Sequence, residues 1–100
     1  GIDIVTNADA AVKACLAGTV TLSAWTTDAG HVLAIQHGND LLSLYKHNSV
    51  LLKKVGDKVK AGEAIAIVGN SGELTTGPHL HFELWLNGEP VDPQGYMVFQ

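Results

Sequence analysis

Two histidines near the end of the chain, His79 and His81, are the residues best suited to chemistry. They are separated by Leu80 and followed by Phe82. In a β-strand, alternate side chains lie on opposite faces, so both imidazoles would share one face and the two apolar residues the other. Residues two apart in a strand have Cα atoms about 7 Å apart, so both imidazoles can serve one small site. One can bind a metal while the other handles protons.

The residues that flank this pair decide how it is interpreted, because half-buried strands with merely hydrogen-bonded histidines show the same spacing. Glu83 adds a carboxylate to the histidine face, and Trp85 lies in phase with it. The preceding residues 69–78 are mostly glycine, asparagine, serine, threonine and proline, which predicts a tight loop leading into the strand. Beyond the strand, Asn87-Gly88 predicts a two-residue type I′ hairpin turn.

These segments resemble the M23 family of zinc metallopeptidases, also called LytM-type or lysostaphin-like endopeptidases. The likeness extends over nearly the whole chain and implies an all-β fold. In that fold, antiparallel sheets form a narrow groove, in the duplicated-hybrid-motif or barrel-sandwich-like architecture. The resemblance is carried, in order, by Gly1 to Ile4, Val68 to Gly72, Thr76 to Glu83, Asn87-Gly88 and Val91 to Pro93.

The resemblance implies a zinc site for one Zn²⁺ ion, of which this chain holds two ligands, Asp3 and His81. The family pattern is His-x-x-x-Asp, and its histidine would fall before Gly1, so that ligand is not in this chain. A catalytic zinc usually has three protein ligands, so we expect the chain alone to hold zinc weakly and to be inactive. The only other candidates as ligands, His31 and His37, lie at turns, where histidine is ordinary, and we expect neither to be functional.

The resemblance also implies two catalytic histidines, His47 and His79, which line the groove and assist the attacking water. Tyr45-Lys46-His47 resembles the family's Tyr-x-His, with Lys46 in place of the usual small residue. An exposed histidine at a strand end is the alternative for His47. Glu83 is predicted to orient His79 or His81, because ligating imidazoles usually donate their other N–H to a carboxylate or carbonyl.

The function implied by the resemblance is zinc-dependent hydrolysis of peptide bonds in peptidoglycan stem or cross-link peptides, outside the cytoplasm. Residues 1–100 would be one M23-type domain that is incomplete at its N-terminus and is regulated by an upstream segment or a partner protein. The alternative is a non-catalytic LytM-type module that binds peptidoglycan or activates a partner hydrolase. Such modules generally lose signature residues, whereas this chain keeps those within its span, which favours the peptidase.

Composition is consistent with a single domain that binds neither nucleic acid nor anionic membranes. The chain has 100 residues, a net charge of −4 and a pI near 5.6, so it lacks a basic surface. No apolar run approaches the ~20 residues of a transmembrane helix, and no signal peptide is evident, as expected for a chain whose upstream part has been removed. Cys15 is the single cysteine. It cannot form an intrachain disulfide and is predicted to be a small buried apolar residue.

Hydrophobic alternation predicts a meander of short antiparallel strands. We expect Val12 and Val20 to lie in adjacent strands, and Ile65 and Ile67 to alternate into a core strand. Further strands are predicted over 1–5, 18–23, 31–37, 41–47 and 96–99, with turns over 25–30 and 38–40. A second resemblance, of residues 55–62 to lipoyl and biotinyl carrier domains, offers another function. A carrier needs a lysine at an isolated hairpin tip, which this chain lacks, so the shared motif indicates similar half-barrel geometry only.

Overall fold

Nine antiparallel strands form the part of the chain that the structure describes. The computed structural model describes residues 2–6, 10–69 and 79–92, without the side chains of 2–5 and 79. The strands are β1 Ile2–Val5, β2 Ala11–Lys13, β3 Gly18–Thr26, β4 Gly30–Gln36, β5 Leu41–Leu51, β6 Lys58–Val59, β7 Ala64–Val68, β8 His79–Leu86 and β9 Glu89–Val91. The predicted all-β class is confirmed.

The long strand β5 pairs with β8 in its first half and with β7 in its second half, and so joins two parts of the sheet. The main strand order is β1-β8-β5-β4-β3-β6, while β7 pairs with both β2 and β5, and β9 pairs with β8. Leu41 to Lys46 of β5 pair with β8, whereas Asn48 to Leu51 pair with β7. The change of partner falls at His47, so one strand takes part in two differently directed arms of a curled sheet.

The hydrophobic core lies on one side of β5 and β8, which we call the inner face. Leu80, Phe82 and Leu84 alternate into it from β8, and the ring of Phe82 lies 5.3 Å from that of Tyr45 on β5. Strand alternation then sends the intervening residues of β8 to the opposite side, the outer face. The other large buried side chains of the core are Val12, Val20, Leu33, Ile35, Leu41, Val59, Ile65 and Val68.

Two predicted turns are confirmed with their backbone geometry. Asn39 and Asp40 adopt left-handed conformations (φ 59° and 61°) between β4 and β5. Asn87 and Gly88 both have positive φ (54° and 80°), as a type I′ turn between β8 and β9 requires. Asparagine and glycine tolerate this region best, so the local sequence was sufficient to place both turns.

Two predictions about the strands were wrong. Val12 is opposite Ala66 of β7, and β2 does not pair with β3, which carries Val20. Ile67 is only half-buried, whereas its neighbour Ala66 is fully buried together with Ile65. A register shift between β2 and β7 interrupts the regular alternation at this point. The predicted strand 96–99 and most of the predicted loop 69–78 lie outside the described residues.

Cys15 also differs from its prediction, because it is half-buried and lies in a polar cluster. Its backbone N–H donates to the Tyr45 hydroxyl (3.1 Å), and its Sγ lies 3.7 Å from Nε2 of His37. The same nitrogen is 2.8 Å from Oγ of Ser43, which donates to the Tyr45 hydroxyl. We call Cys15, His37, Ser43 and Tyr45 the inner cluster. In the described part of the chain, no helix is long and apolar enough to cross a bilayer.

Candidate functional site

The outer face of β8 carries His81, Glu83 and Trp85 side by side, as alternation predicts. Nε2 of His81 lies 2.7 Å from Oε2 of Glu83. An ionised carboxylate can only accept hydrogen bonds, so Nε2 carries the proton and donates it. Glu83 therefore contacts His81, one of the two histidines that it is predicted to orient.

Three donors converge on the Glu83 carboxylate. Besides His81, the indole N–H of Trp85 donates to Oε1 (3.0 Å), and Nζ of Lys46 lies 3.0 Å from Oε2. Burial alone would raise the pKa of Glu83, but these hydrogen bonds and the lysine charge outweigh it and lower the pKa to about 2. The carboxylate is therefore ionised at neutral pH and remains a hydrogen-bond acceptor.

His47 lies at the bend of β5 in a left-handed backbone conformation, with φ of 66°. This region is uncommon for a residue other than glycine and costs about 1–3 kcal/mol, so neighbouring contacts must impose it. The His47 N–H donates to the carbonyl of Ala29 (2.9 Å), and its own carbonyl accepts from the N–H of Gly69 (3.2 Å). The bend brings the His47 ring to 6.2 Å from that of His81, nearly perpendicular to it at 85°.

Asp3 and His79 are brought to the same region by strand pairing. In the antiparallel register of β1 and β8, Asp3 is directly opposite His81, and Val5 is opposite His79. The first, middle and late parts of the chain therefore meet here. For Asp3 and His79 the structure describes the backbone only. Among the side chains that are described, no group of three His, Cys, Asp or Glu residues could hold a metal ion.

The structure assigns His37 a different environment from the site. His37 is 6% exposed, and its Nδ1 lies 2.7 Å from the carbonyl of Ala17, which can only accept, so Nδ1 carries the proton. Its other nitrogen faces Ser43 and Cys15 in the inner cluster. His37 therefore belongs to the inner cluster and not to the group of residues on the outer face. His31 is opposite Asn48 of β5, next to the bend, where its carbonyl accepts from the Asn48 amide (3.0 Å).

Sequence reasoning noticed Lys46 and Trp85 but gave neither a contact with Glu83. Trp85 could have been found from its position two residues after Glu83 on the same face of a strand. Lys46 lies 37 residues away in the chain, and its contact depends on the register in which it is opposite His81. A single sequence contains no local signal for that register.

The site therefore combines a histidine pair on β8, an aspartate opposite it in the register and a bent Tyr-x-His strand. The model of peptidase family M23 matches residues 1–93. The chain belongs to peptidase family M23. As an M23 domain, it superimposes on the catalytic domain of the antimicrobial peptidase lysostaphin from Staphylococcus simulans with a TM-score of 0.85 and 32% sequence identity, covering 95% of this chain and 75% of that one.

Two curated relatives of this M23 domain have names that describe different activities. The peptidoglycan DD-endopeptidase ShyA of Vibrio cholerae is 44% identical over 75 residues, covering 75% of this chain and 17% of ShyA. The murein hydrolase activator EnvC of Escherichia coli is 41% identical over 86 residues, covering 86% of this chain and 20% of EnvC. The chain thus spans about a fifth of the length of these relatives, and membership of the family alone does not separate the two activities.

The residues of this M23 domain fit zinc by their chemistry. Zn²⁺ binds imidazole nitrogen and carboxylate oxygen, the donor types of His81 and Asp3, which occupy opposite positions in the register. Because Nε2 of His81 donates to Glu83, a metal would be bound through Nδ1. A histidine that donates its second nitrogen to a carboxylate is the usual arrangement for a zinc ligand.

Proposed function

We propose that this chain is the catalytic domain of a zinc endopeptidase that hydrolyses peptide bonds in peptidoglycan stem or cross-link peptides. The observation that carries the proposal is the 2.7 Å contact between Nε2 of His81 and Glu83, with the His47 ring 6.2 Å from that of His81. A ligand histidine held by a carboxylate beside a second imidazole is the arrangement that metal-assisted hydrolysis needs. The likeness to the DD-endopeptidase ShyA and to lysostaphin supports the proposal.

In this proposal Asp3 and His81 supply the metal ligands, and Glu83 keeps the His81 ring in place. Bound zinc would lower the pKa of a water molecule towards ~7 and polarise the scissile carbonyl. His47 and His79 take the proton from the attacking water and stabilise the oxyanion. The strained backbone at His47 supports its role, because strain of this kind is concentrated at functional sites.

The same proposal includes a third zinc ligand, a histidine upstream of Gly1, which the longer protein would supply. The chain of 100 residues alone would then bind zinc weakly and show little turnover. An upstream segment or a partner protein would regulate access to the site. By their names, ShyA is a peptidoglycan endopeptidase and EnvC activates a murein hydrolase, which supports a location outside the cytoplasm.

The test compares zinc content and turnover of peptidoglycan in the full-length protein and its His79→Ala and His81→Ala variants. We expect about one zinc per full-length molecule and cleaved peptide products in the wild type. His81→Ala should lose both the zinc and the products. His79→Ala should keep the zinc but lose turnover by about 10²–10⁴-fold, the usual contribution of a general acid or base. A zinc-free full-length protein, or full turnover by His79→Ala, would reject the proposal.

A second function is favoured by one observation, the 41% identity to the murein hydrolase activator EnvC. In this alternative the domain binds peptidoglycan or a partner hydrolase without cleaving anything itself. The full-length protein would then release no peptide products alone but would raise the turnover of an added murein hydrolase. His79→Ala would leave that stimulation intact, whereas it abolishes turnover by a peptidase.

A further inference from the structure

We propose that Lys46 and Trp85 are positioning residues, which fix the carboxylate of Glu83 and, through it, the imidazole of His81. The part of the proposal that concerns zinc affinity rests on the proposed function. The part that concerns the His81 ring does not, because it is tested without a metal.

Lys46, on β5, contacts Glu83 on the neighbouring strand β8. In the register of β5 and β8, Lys46 is opposite His81 and Leu44 is opposite Glu83, so the contact of Lys46 with Glu83 is diagonal. Diagonal neighbours are within reach of long side chains such as lysine. The Lys46 ammonium lies 3.0 Å from Oε2, which is the oxygen that accepts the His81 proton. Lys46 therefore holds the same oxygen that His81 uses, and its charge offsets that of the half-buried carboxylate.

Trp85 holds the other oxygen. It lies two residues after Glu83 on the same face of β8, and its indole N–H donates to Oε1 at 3.0 Å. Glutamate has three rotatable side-chain bonds, so an unanchored carboxylate would sample many positions. With the indole on Oε1 and the ammonium on Oε2, the carboxylate cannot turn without losing one of these hydrogen bonds.

The consequence is a fixed ring at His81. A stationary carboxylate 2.7 Å from Nε2 keeps the proton on that nitrogen and restricts rotation of the imidazole. Nδ1 is then the nitrogen presented for metal binding, and it is already oriented before any metal arrives. A ligand histidine that is hydrogen-bonded to a residue outside the metal site binds metal more tightly, because its side chain loses less conformational freedom when the metal binds.

The first test measures how fast the Nε2 proton of His81 exchanges with water, by NMR on the chain of 100 residues without metal. The His81 signal is identified by its disappearance in His81→Gln. Lys46→Met removes the ammonium, and Trp85→Phe removes the indole N–H while keeping an aromatic ring. We expect both variants to speed exchange by about fivefold or more, because a proton is protected only while its hydrogen bond persists. Lys46→Arg, which keeps a charged donor, should restore slow exchange.

The matched control is Lys53→Met, since Lys53 forms a comparable ion pair with Glu63 (2.6 Å) that does not involve Glu83. It should leave the His81 exchange rate unchanged, which separates positioning from a general loss of stability. Unchanged exchange in both Lys46→Met and Trp85→Phe would overturn the proposal. The proposal would also be overturned if Lys53→Met speeded exchange of the His81 proton as much as Lys46→Met and Trp85→Phe do.

The second test measures zinc affinity in the full-length protein. We expect Lys46→Met to raise the zinc Kd by about tenfold. This is the low end of the range for removing a residue that hydrogen-bonds to a metal ligand, because Lys46 acts on His81 only through Glu83. Lys46→Arg should stay within about twofold of the wild type. Equal affinities for Lys46→Met and the wild type would overturn the zinc part. If no full-length form binds zinc, the proposed function fails, while the exchange rates still decide whether Lys46 and Trp85 fix the ring.

Discussion

His37 and His81 are both held by a hydrogen bond that decides which ring nitrogen carries the proton, yet they lie in different surroundings. His37, in the inner cluster, donates from Nδ1 to a backbone carbonyl and turns Nε2 towards Ser43 and Cys15. His81, on the outer face, donates from Nε2 to Glu83. The side chain of His81 is 25% exposed, whereas His37 is 6% exposed as a whole residue. A fixed tautomer therefore does not identify a functional histidine.

The two regions differ in where the hydrogen-bond partners of their polar side chains lie. In the inner cluster, Cys15, His37, Ser43 and Tyr45 contact one another, and Nδ1 of His37 donates to the backbone carbonyl of Ala17. On the outer face the hydrogen bonds converge on Glu83, beside the position of Asp3 in the register and the ring of His47. Closed networks of buried groups contribute to a specific fold, whereas oriented groups beside one another can act on a ligand.

The largest predicted effect is a difference in the free energy of unfolding between substitutions at two adjacent residues of β8, one on each face. Phe82 is fully buried on the inner face, so Phe82→Ala should lower the free energy of unfolding by about 3–5 kcal/mol. Glu83→Gln, on the outer face, should lower it by about 1 kcal/mol or less, as partly exposed ion pairs usually do. Urea denaturation of both variants measures this difference. Equal losses of stability would break the division of β8 into a structural and a functional face.

An intermediate effect is expected where the two arms of the sheet meet at the bend of β5. A Cβ on Gly69 would lie 2.7 Å from the backbone N of Ser49, so Gly69→Ala must displace the chain beside His47. We expect a loss of about 1–3 kcal/mol in the free energy of unfolding, as for other overpacked sites. The NMR signals of the His47 ring should shift in the same variant.

The matched control is Gly38→Ala, because a Cβ there would meet nothing within 4 Å. Its free energy of unfolding should stay within about 0.5 kcal/mol of the wild type. If Gly69→Ala were equally harmless and left the His47 signals in place, the bend would not depend on the close approach of β7 to β5.

The smallest effect concerns the reactivity of Cys15. Burial opposes charge on this thiol, but hydrogen bonds with His37 and Tyr45 outweigh it, so the pKa of Cys15 is lowered from its ordinary value of 9.0. The thiolate fraction, and with it the rate of alkylation by iodoacetamide, should therefore rise at a lower pH than for an ordinary cysteine. His37→Gln should slow alkylation at pH 7.5 by about three- to tenfold.

His31→Gln serves as the control for Cys15, because His31 lies on β4 beside the bend and forms no part of the inner cluster. It should leave the alkylation profile unchanged. A profile with its midpoint at or above 9.0 in the wild type would show that burial, and not the contact with His37, controls this thiol.

The alternation of β8 could be read from the sequence, and the structure bears it out. Leu80 and Phe82 are buried, while His81 and Glu83 lie on the opposite face. The turns at 38–40 and 87–88 were also predictable, because asparagine, aspartate and glycine tolerate positive φ. The roles given to Asp3, His47, His79 and His81 came from the family resemblance and stay predictions.

What the sequence alone determined is local: the type of each element, its turns, and, in a regularly alternating strand such as β8, the face on which each side chain lies. These follow from a period of two residues and from the conformational preferences of single residues. Only the tertiary structure decided that β2 pairs with β7, that β5 bends at His47, and that Lys46 reaches Glu83. The physical reason is that strand register and the closure of a curled sheet depend on many distant contacts at once. No stretch of the chain encodes them by itself.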